Sequence, residues 1–302
     1  MYDYKLLEAF AAVIQNGGFE RAARLLHITQ SAVSQRVKQL EEAFGRPLLM
    51  RKNPPVATED GSHLLGHYLK VKVLEDELAA NLNPHSQRRY PKLSIAINRD
   101  TLTLWFMDAM GDFIREHNLI LEILAEDQEK THEFLKDGRV YGCISSRQQS
   151  MQGCYVEPLG SMSYKLVATP AFAKEHFKKG VSYSTLREAP AVIFDYNDNM
   201  LDDYLKAHFT MAYHRPPQHV VPGVNEYARF ITEGFGYGLL ELSQIEQLLA
   251  EGNMVDLAPE KPMEIPLYWH TWQMGSELGK SFSVVLKQKA KEIFNQGSRK
   301  TT

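Results

Sequence analysis

The segment ITQSAVSQRVKQLEEAFG, Ile28 to Gly45, combines an apolar face with an unusual polar face near its start. At about 100° per residue, one stripe is apolar and predicts the core face of a helix; it consists of Val33, Val37, Leu40 and Phe44. Short or flexible polar side chains lie opposite this stripe, on its flank or in the first turn, namely Gln30, Ser31, Ser34, Gln35 and Lys38. Thr29 is a typical N-cap residue, so the helix is predicted to begin directly after it.

The polar face has the chemistry of a DNA-reading surface. Amides such as those of Gln30 and Gln35 pair with adenine, serine hydroxyls adapt to several bases, and a lysine suits guanine or phosphate. The amino terminus of a helix also favours phosphate through its amides and its dipole. Between Phe19 and Lys52, seven basic residues stand against three acidic ones, a local charge of +4 in a chain with a net charge of −3. The chain is therefore not basic overall but carries a local basic patch.

Two neighbouring patterns complete the DNA-binding prediction. Lys5–Ile14 and Phe19–His27 are predicted as short helices, and the second leads through a tight turn into the quoted helix. The next segment, RPLLMRKNPPVATEDG, places paired prolines and basic residues between short apolar runs. It favours a β-hairpin wing, with Arg51 and Lys52 predicted to contact phosphates. Periodicity alone does not separate this arrangement from a small helical domain with a solvated face.

Composition limits the class of protein. A chain of 302 residues is long enough for two or three domains, and its 44% apolar and 24% charged residues are typical of globular proteins. Cys143 and Cys154 are too few for a disulfide framework, and no apolar run reaches the roughly 18 residues that would span a bilayer. The start, MYDYKLLEAF, lacks the pattern of a signal peptide. We therefore expect a cytoplasmic protein, and we predict no metal and no cofactor.

Beyond residue 58 the pattern changes twice. Thr58–Leu82 predicts a long helix, and the proline- and amide-rich segment Asn81–Pro91 predicts a hinge. Strand-like runs then alternate with helical segments before a closing amphipathic helix; the runs are KLSIAIN, LILEILA, VYGCI, YKLVAT, AVIFD and PLYWHTWQM. This alternation is typical of an α/β fold with a mainly parallel sheet.

The amino-terminal motifs closely resemble those of LysR-type transcriptional regulators. The family pattern runs F-x-x-A-A-x-x-L-x-x-[ST]-Q-[SP]-A-[VL]-S, then L-E-x-x-x-G-x-x-L-[FL]-x-R and T-x-x-G. The chain matches it at Phe19, Ala22, Ala23, Leu26, Thr29, Gln30, Ser31, Ala32, Val33, Ser34, Leu40, Glu41, Gly45, Leu48, Arg51, Thr58 and Gly61. The resemblance implies a winged helix-turn-helix at 1–58, a dimerisation helix with the hinge at 59–91, and a two-lobed α/β effector domain like a periplasmic binding protein. Lobe I would comprise 92–161 and 267–302, and lobe II 162–266.

The same resemblance implies the partners. They are double-stranded DNA with dyad half-sites, a small-molecule effector in the cleft between the lobes, and further copies of the chain, which would form a dimer through the linker helix and then a tetramer. Contact with RNA polymerase is left open. The helix carries a broad apolar stripe that a second chain could cover, formed by Leu64, Leu65, Tyr68, Leu69, Val71, Leu74, Leu78 and Leu82. His63 and His67 are four residues apart but lack a third ligand nearby, so we interpret them as surface or dimer-contact residues.

The effector is predicted to meet the start of the helix that follows KLSIAIN. This strand ends at Asn98, and Thr101 stands where the family commonly places the Ser or Thr that contacts the effector. The hydroxyl and the helix amides suit a carboxylate, although Asp100 and Thr101 could simply cap the helix. Within the family, five stretches together resemble the ArgP/LysG subgroup: ITQSAVSQRVKQLE, PLL in place of the commoner PLF, NRDT after the strand, VIFD and the terminal LYWH. This resemblance implies an activator of basic amino-acid export that senses lysine or arginine. Acidic partners for such an effector would come from strand ends or helix starts, at Asp100, Glu126, Asp127, Asp195 and Glu226, where surface acids also occur.

Two residues depart from the subgroup, and two motifs suggest an enzyme. Arg99 suits an anionic effector better, and Glu241 stands where the family usually has proline, so a different metabolite is an alternative effector. An enzyme fused to a helix-turn-helix is the alternative class. However, GSELGKS at 275–281 is one residue short of a phosphate-binding loop. GFGYG at 234–238 follows a helix and precedes a strand, so we interpret it as a helix C-cap rather than a dinucleotide turn. We predict no catalytic residue.

Overall fold

The computed structural model describes residues 3–82, 90–125, 128–136, 138–151, 153–209, 215–273 and 275–298. Within these ranges, the side chains at 70, 73, 76, 77, 79–82, 128–130 and 296–298 are not described. The chain divides into two compact units. The amino-terminal unit comprises Met1–Asn98, Met110–Glu157 and Tyr268–Lys289, and the second unit comprises Arg99–Ala109, Pro158–Leu267 and Ala290–Thr302. The predicted hinge lies mostly outside the described residues.

The amino-terminal unit begins with the predicted winged helix-turn-helix. Its elements are α1 (Tyr4–Gln15), α2 (Phe19–Leu25), α3 (Gln30–Phe44), β1 (Leu49–Met50) and β2 (Val56–Ala57). The two strands pair antiparallel, Leu49 opposite Ala57 and Met50 opposite Val56, which confirms the hairpin. Gly45 ends α3 with a φ of 65°, a left-handed conformation that glycine adopts without steric cost. The three predicted helices are therefore confirmed to within two residues.

The long helix α4 (Glu59–Leu82) belongs to the same core over its first half. Leu64, Leu65 and Tyr68 are buried in the apolar cluster that also holds Phe10 and Val37. Further along, Leu74 and Leu78 are exposed in the single chain. The apolar stripe predicted for dimerisation is thus divided, because its first part is already covered by the winged helix-turn-helix.

The rest of the amino-terminal unit is a sheet covered by helices. Its further elements are β3 (Lys92–Ile97), α6 (Met107–Glu116), β4 (Ile120–Ala125), α7 (Gln128–Lys136), β5 (Gly142–Ser145), β11 (Met263–Trp272) and α13 (Glu277–Ser298), of which α6, β11 and α13 continue into the second unit. The strand β3 pairs in parallel with β4 and with β5, whereas β11 pairs with β5 antiparallel.

The second unit contains two groups of strands. Its further elements are α5 (Arg99–Thr101), β6 (Cys154–Ala168, which begins in the first unit), α8 (Pro170–His176), α9 (Tyr183–Glu188), β7 (Ala191–Ile193), α10 (Met200–Phe209), β8 (Gln218–Val220), α11 (Val224–Thr232), β9 (Gly238–Glu241), α12 (Leu242–Ala250) and β10 (Val255–Asp256). A π-helical turn, Leu102–Phe106, joins α5 to α6. The pair β7–β8 is parallel, but β6 pairs antiparallel with both β9 and β10.

The predicted α/β class is confirmed, but the prediction of a mainly parallel sheet is wrong. The long strands β6 and β11 both pair antiparallel with neighbours, which makes the sheet mixed. An apolar run shows that a strand is buried on both faces; it does not show in which direction the strand runs. Among the described residues, no helix has the length and apolar character needed to cross a membrane.

Candidate functional site

The polar side chains of α3 form an exposed surface held by a buried stripe. Val33, Val37 and Leu40 are each at most 3% exposed. All the residues predicted to read bases or to start the helix are exposed, namely Thr29, Gln30, Ser31, Ser34, Gln35 and Lys38. Because the stripe is locked into the core, the polar side chains have a fixed direction relative to the domain. This is the geometry that insertion into a major groove requires.

The first turn of α3 is organised by two hydroxyls. The Thr29 hydroxyl accepts a hydrogen bond from the amide of Ala32 (3.2 Å), which confirms Thr29 as the N-cap. It shares a second hydrogen bond with the Ser31 hydroxyl (2.9 Å). On the next turns, Lys38 lies 3.5 Å from Glu42 in a solvent-exposed ion pair. Such pairs are weak, so Lys38 remains available to a phosphate or a base.

The wing is fastened to the recognition helix by one carboxylate. Oε1 of Glu41 accepts hydrogen bonds from the amides of Leu48 (2.9 Å) and Leu49 (3.2 Å). On the other side of the hairpin, the Thr58 hydroxyl donates to the carbonyl of Pro47 (3.0 Å) and accepts from the amide of Gly61 (3.1 Å). These contacts join α3, the wing and the start of α4.

Arg51 and Lys52, the residues predicted to contact phosphate, follow β1 directly and are exposed. The first residue of β1 is Leu49, whose amide donates a hydrogen bond to the carboxylate of Glu41. The exposure of Arg51 and Lys52 leaves both cations accessible to a polyanion. Among the described residues, neither of the two forms an ion pair. The structure therefore places them on a surface that is attached to the recognition helix.

A second polar centre lies in the second unit around Asp100. Its carboxylate accepts a hydrogen bond of 2.6 Å from the hydroxyl of Tyr164, a residue 64 positions further along the chain. Burial raises the pKa of Asp100, and the hydrogen bond from Tyr164 lowers it in part. Asp100 therefore does not merely cap a helix, because its carboxylate is engaged by a residue of β6.

Glu241 joins this centre through the strand register. Tyr164 and Glu241 are directly opposite each other on β6 and β9, so their side chains lie on the same face. Glu241 is 8% exposed and accepts from the amide of Ser243 (2.8 Å) at the start of α12. Burial raises its pKa, and the negative charge of Asp100 raises it further. A half-buried carboxylate, that of Asp100, and a buried one, that of Glu241, thus lie within electrostatic reach of each other.

Two further acid–tyrosine interactions extend the centre. Burial and the charge of Asp198 raise the pKa of Tyr227, with a smaller contribution from Asp100. The pKa of Tyr164 is raised by burial and then by Asp100, with contributions from Glu241 and Tyr227. We name the group Asp100, Tyr164, Asp198, Tyr227 and Glu241 the acidic centre. The sequence prediction included only Asp100 of these, because strand pairing brings Tyr164 and Glu241 together, and tertiary packing, not a local pattern, brings Asp198 near Tyr227.

Arg99, whose charge would suit an anionic effector, contacts an aromatic ring. The guanidinium of Arg99 lies over the ring of Phe194, 5.4 Å from its centroid, and the side chain is exposed. Cation–π contact of this kind stabilises an arginine without a carboxylate. No contribution of Arg99 to the pKa of Asp100 or Glu241 is resolved. Besides burial, the pKa of Asp100 is changed by the hydrogen bond from Tyr164, and that of Glu241 by hydrogen bonds from Ser243 and by the charges of Asp100 and Glu264.

The remaining predicted effector residues have local roles or lie elsewhere. Asn98 and Thr101 are buried, with 6% and 0% exposure. The carboxylate of Asp195 accepts from the amides of Asn197 (2.7 Å) and Asp198 (3.0 Å), which closes its own turn. Glu226 is exposed in the first turn of α11. Asp127, like Glu126, lies outside the described residues, and all of these assignments stay predictions.

The two glycine-rich motifs serve packing. A Cβ on Gly275 or Gly279 would lie 2.6 or 2.5 Å from Cε2 of Tyr141, so both glycines make room for this ring at the start of α13. Gly234 has a φ of +83° after α11, and β9 begins at Gly238. The interpretation of GFGYG as a helix end that leads into a strand is confirmed.

A histidine pair joins α7 to β11 in the amino-terminal unit: His132, on α7, is half-buried and His270, on β11, is fully buried. The rings of His132 and His270 are perpendicular, with centroids 5.1 Å apart. Nε2 of His270 donates to the carbonyl of Arg147 (2.7 Å), whereas Nδ1 of His270 and Nε2 of His132 have no hydrogen-bond partner among the described residues. Burial lowers the pKa of both rings, and Arg147 lowers that of His132 further. Among the described residues, no group of three or more ligands suited to a metal ion is present.

Acid should therefore weaken this unit through the histidine pair. A histidine whose pKa is lower when folded stabilises the fold above its unfolded pKa of about 6.5, and this contribution is lost as pH falls below that value. We expect the unfolding temperature of the full chain to drop between pH 7 and 5, and to drop less steeply in His132→Phe, which keeps the ring contact without titrating. The exposed His219, changed to Phe, is the control. Equal slopes for wild type and His132→Phe would contradict the prediction.

Comparison with known proteins identifies the family of both parts of the chain. Residues 4–62 match the bacterial regulatory helix-turn-helix family of the lysR type, and residues 86–290 match the LysR substrate binding domain. The chain is 40% identical over 295 residues to the HTH-type transcriptional regulator ArgP of Aeromonas salmonicida, which covers 98% of this chain and 99% of that protein.

Two solved structures are similar over almost the full length. One is ArgP from Mycobacterium tuberculosis, with a TM-score of 0.84, 30% identity, and coverage of 96% of this chain and 98% of that one. The other is full-length LysG from Corynebacterium glutamicum with bound effector Arg, with a TM-score of 0.80, 29% identity, and coverage of 96% and 99%. The matching family and the relative from Aeromonas salmonicida indicate a transcriptional regulator rather than an enzyme. The chain belongs to the LysR family of transcriptional regulators.

Proposed function

We propose that this regulator binds a basic amino acid, arginine or lysine, at the acidic centre, and that this binding modulates its affinity for operator DNA. The observation that carries the proposal is the pair formed by the half-buried Asp100 and the buried Glu241, whose pKa values are both raised. A cation close to a carboxylate would lower its pKa. Burial is the largest cause of both raised values, and among the described residues no cation is resolved that lowers either pKa.

The energetics favour a cationic ligand. A buried carboxylate is costly unless it is paired, and an opposite charge within a few ångströms restores what desolvation removes. A guanidinium or ammonium group placed beside Asp100 would donate a charge-assisted hydrogen bond to its carboxylate, which would still accept the hydrogen bond from Tyr164. Arg99 does not oppose this, because its guanidinium lies over Phe194.

The relatives support the same ligand class. The similar LysG structure from Corynebacterium glutamicum contains bound effector Arg, and the relative from Aeromonas salmonicida is named ArgP. For this chain, Asn98, Thr101, Asp127, Asp195 and Glu226 stay predicted contacts to the remainder of the ligand. Regulation of genes for amino-acid transport or metabolism is the corresponding proposal for the targets.

Calorimetric titration of the full chain tests the proposed ligand. L-Arginine and L-lysine should bind, and L-citrulline, which has nearly the shape of arginine but no charge, should bind at least about tenfold more weakly, a difference of roughly 1.4 kcal/mol. L-Glutamate is the control of opposite charge. Equal affinity for arginine and citrulline would show that the carboxylates do not sense charge. Binding of another metabolite in place of both basic amino acids would overturn the proposal.

We further propose that α3 reads the major groove with Gln30, Ser31, Ser34, Gln35 and Lys38, while Arg51 and Lys52 contact phosphates. The support is the common exposure of these side chains on a helix whose opposite stripe is locked in the core. The exposed apolar residues Leu74 and Leu78 on α4 support self-association of the chain through this helix. A two-fold pair would place two α3 helices on half-sites about one helical turn of DNA, or a multiple of it, apart. Contact with RNA polymerase stays a prediction.

Replacing Gln35 with Ala should separate base reading from backbone contact. On a duplex selected by the wild-type protein from a random pool, we expect a loss of roughly 1–3 kcal/mol, with little change on unselected DNA. Arg51→Ala should instead weaken binding to both duplexes and reduce the slope of log affinity against log salt concentration by about 0.9. Fluorescence anisotropy at several salt concentrations measures both effects.

Gln15→Ala is the matched control, because Gln15 is an exposed glutamine at the end of α1 in the same domain. It should bind both duplexes as the wild type does. If Gln35→Ala loses the same free energy on selected and unselected DNA, Gln35 only positions the backbone.

A further inference from the structure

The first half of α4 is rigidly attached to the DNA-binding domain. Leu64, Leu65 and Tyr68 are buried in the same cluster as Val33 and Val37 of the recognition helix. Gly66 lies between these residues and is buried as well. A helix interior disfavours glycine by about 1 kcal/mol relative to alanine, so a buried glycine here calls for a packing reason.

The packing reason is a backbone contact with Gly138. A Cβ on Gly138 would lie 2.6 Å from Cα of Gly66, 3.4 Å from its carbonyl oxygen and 3.5 Å from its carbonyl carbon. Gly138 also has a φ of +67°, in the left-handed region. Both the conformation and the space therefore require glycine at 138. The two chain segments meet backbone against backbone.

The turn that carries Gly138 is fixed to the sheet formed by β3, β4 and β5, which lies in the predicted effector lobe I. The amide of Gly138 donates to the carbonyl of Leu135 (2.9 Å), and Leu135 is fully buried. On the same helix, α7, the Thr131 hydroxyl donates to the carbonyl of Ile144 in β5 (3.2 Å). The strand β5 pairs with β3, whose end leads through Asn98 to Asp100. The Gly138 turn is thus attached to the strand that precedes the acidic centre in the chain.

We propose that the Gly66–Gly138 contact is the joint by which the effector lobe holds the linker helix and transmits the ligand state to the DNA-binding domain. A contact between two backbones contains no side chain that can change rotamer and absorb a displacement. The Gly138 turn and α4 must therefore move together or separate, which is the two-state behaviour that coupling requires. Movement of α4 is passed to α3 through Leu64, Leu65 and Tyr68. Transmission of the ligand state depends on the effector binding proposed above, whereas the Gly66–Gly138 contact itself does not.

Gly138→Asn in the full-length protein tests the joint directly. Asparagine tolerates the left-handed conformation, so the added Cβ acts mainly through its collision with Gly66. The matched control is Gly252→Asn, because Gly252 has a φ of +74° and no atom within 4 Å of its Cβ position. Hydrogen exchange without ligand or DNA should be at least about tenfold faster in Gly138→Asn at 63–68 and 134–140, and unchanged in the control. Unchanged exchange at 63–68 in Gly138→Asn would overturn the proposal.

A second measurement tests transmission. The affinity for the selected duplex is measured with and without saturating L-arginine, and the ratio defines the coupling. The ratio should fall towards one in Gly138→Asn while calorimetry shows unchanged arginine binding. An unchanged ratio with retained arginine binding would contradict transmission through this joint. If the wild type does not bind arginine, the proposed ligand fails, but the exchange experiment still decides the joint.

Gly66→Ala provides an independent variant if Gly138→Asn unfolds. Alanine raises the helix propensity of α4, so faster exchange in this variant would not come from a weakened helix. Exchange at 134–140 should again be faster by about tenfold, since the methyl group is added to the Gly66 Cα, the atom nearest to the Gly138 Cβ position. Exchange at 134–140 equal to that of the wild type would count against the joint.

Discussion

Replacing Gly61 with Ala should destabilise the DNA-binding domain and abolish most operator affinity. An added Cβ would lie 2.0 Å from the carbonyl oxygen of Leu48, 3.0 Å from its carbonyl carbon and 3.1 Å from Cζ of Phe10. The first contact is with backbone, so no side-chain rotation relieves it. Either α4 or the wing must move.

The expected size follows from two opposing effects. Forced overpacking costs about 1–3 kcal/mol or more, whereas exchange of glycine for alanine in a helix contributes about 1 kcal/mol of stability. Because the clash is with a carbonyl, we expect a net loss of roughly 2 kcal/mol, which lowers the unfolding temperature of a domain of this size by about 8 °C or more. Displacement of Leu48 also disturbs its hydrogen bond to Glu41, and with it the position of the wing against α3.

Thermal unfolding and anisotropy on the selected duplex measure the two consequences of Gly61→Ala. Gly18→Ala is the matched control, since Gly18 lies in the same domain with no atom within 4 Å of its Cβ position. The control should retain its stability and its DNA affinity. Wild-type stability in Gly61→Ala would mean that α4 and the wing are not in contact at Leu48.

Asp100→Asn should produce opposite changes in ligand affinity and stability. Asparagine still accepts the hydrogen bond from Tyr164 but carries no charge. Loss of a buried charged partner should weaken arginine binding by roughly 2–5 kcal/mol. A carboxyl group whose pKa is raised on folding disfavours the folded state at neutral pH, and this cost diminishes as pH falls through the folded pKa. The ligand-free variant should therefore be more stable than the wild type at pH 7, and the gain should shrink at lower pH.

Calorimetry with L-arginine and thermal unfolding from pH 7 to 4 test this prediction. Asp203→Asn is the control, because Asp203 is an exposed partner of Lys206 on α10 in the same unit. It should leave arginine affinity unchanged. Retained arginine affinity in Asp100→Asn would remove Asp100 from the proposed site, whereas reduced stability would show that its carboxylate is stabilised by the fold.

The DNA-binding region was predictable because its signals are local. The spacing of Val33, Val37 and Leu40, the N-cap at Thr29 and the glycine at 45 act within a few turns of one helix, and the structure has the same face buried and the same residues at the ends. The structural roles of Glu41 and Thr58 were harder to predict from the sequence. Both belong to the family motif, but their hydrogen bonds to the wing join residues that are 7 and 11 positions apart.

The acidic centre was only partly predictable. The sequence identified Asp100 from its place after a strand, yet it also selected Asp195, whose carboxylate closes its own turn. Tyr164 had no distinguishing signal in an apolar strand, and Glu241 was noted only as a departure from the family pattern. Both were identified once the register of β6 and β9 placed them opposite each other.

By itself, the sequence determined that this protein has a winged helix-turn-helix followed by a long helix and an α/β effector domain. Helix periods, caps and turn residues express free-energy differences between neighbours in the chain, so they can be recognised without coordinates. Only the tertiary structure decided the direction of β6 and β11, the meeting of Asp100 with Tyr164 and Glu241, and the contact between Gly66 and Gly138. These features depend on which distant segments pair and in which register, and an apolar run stabilises many such pairings equally.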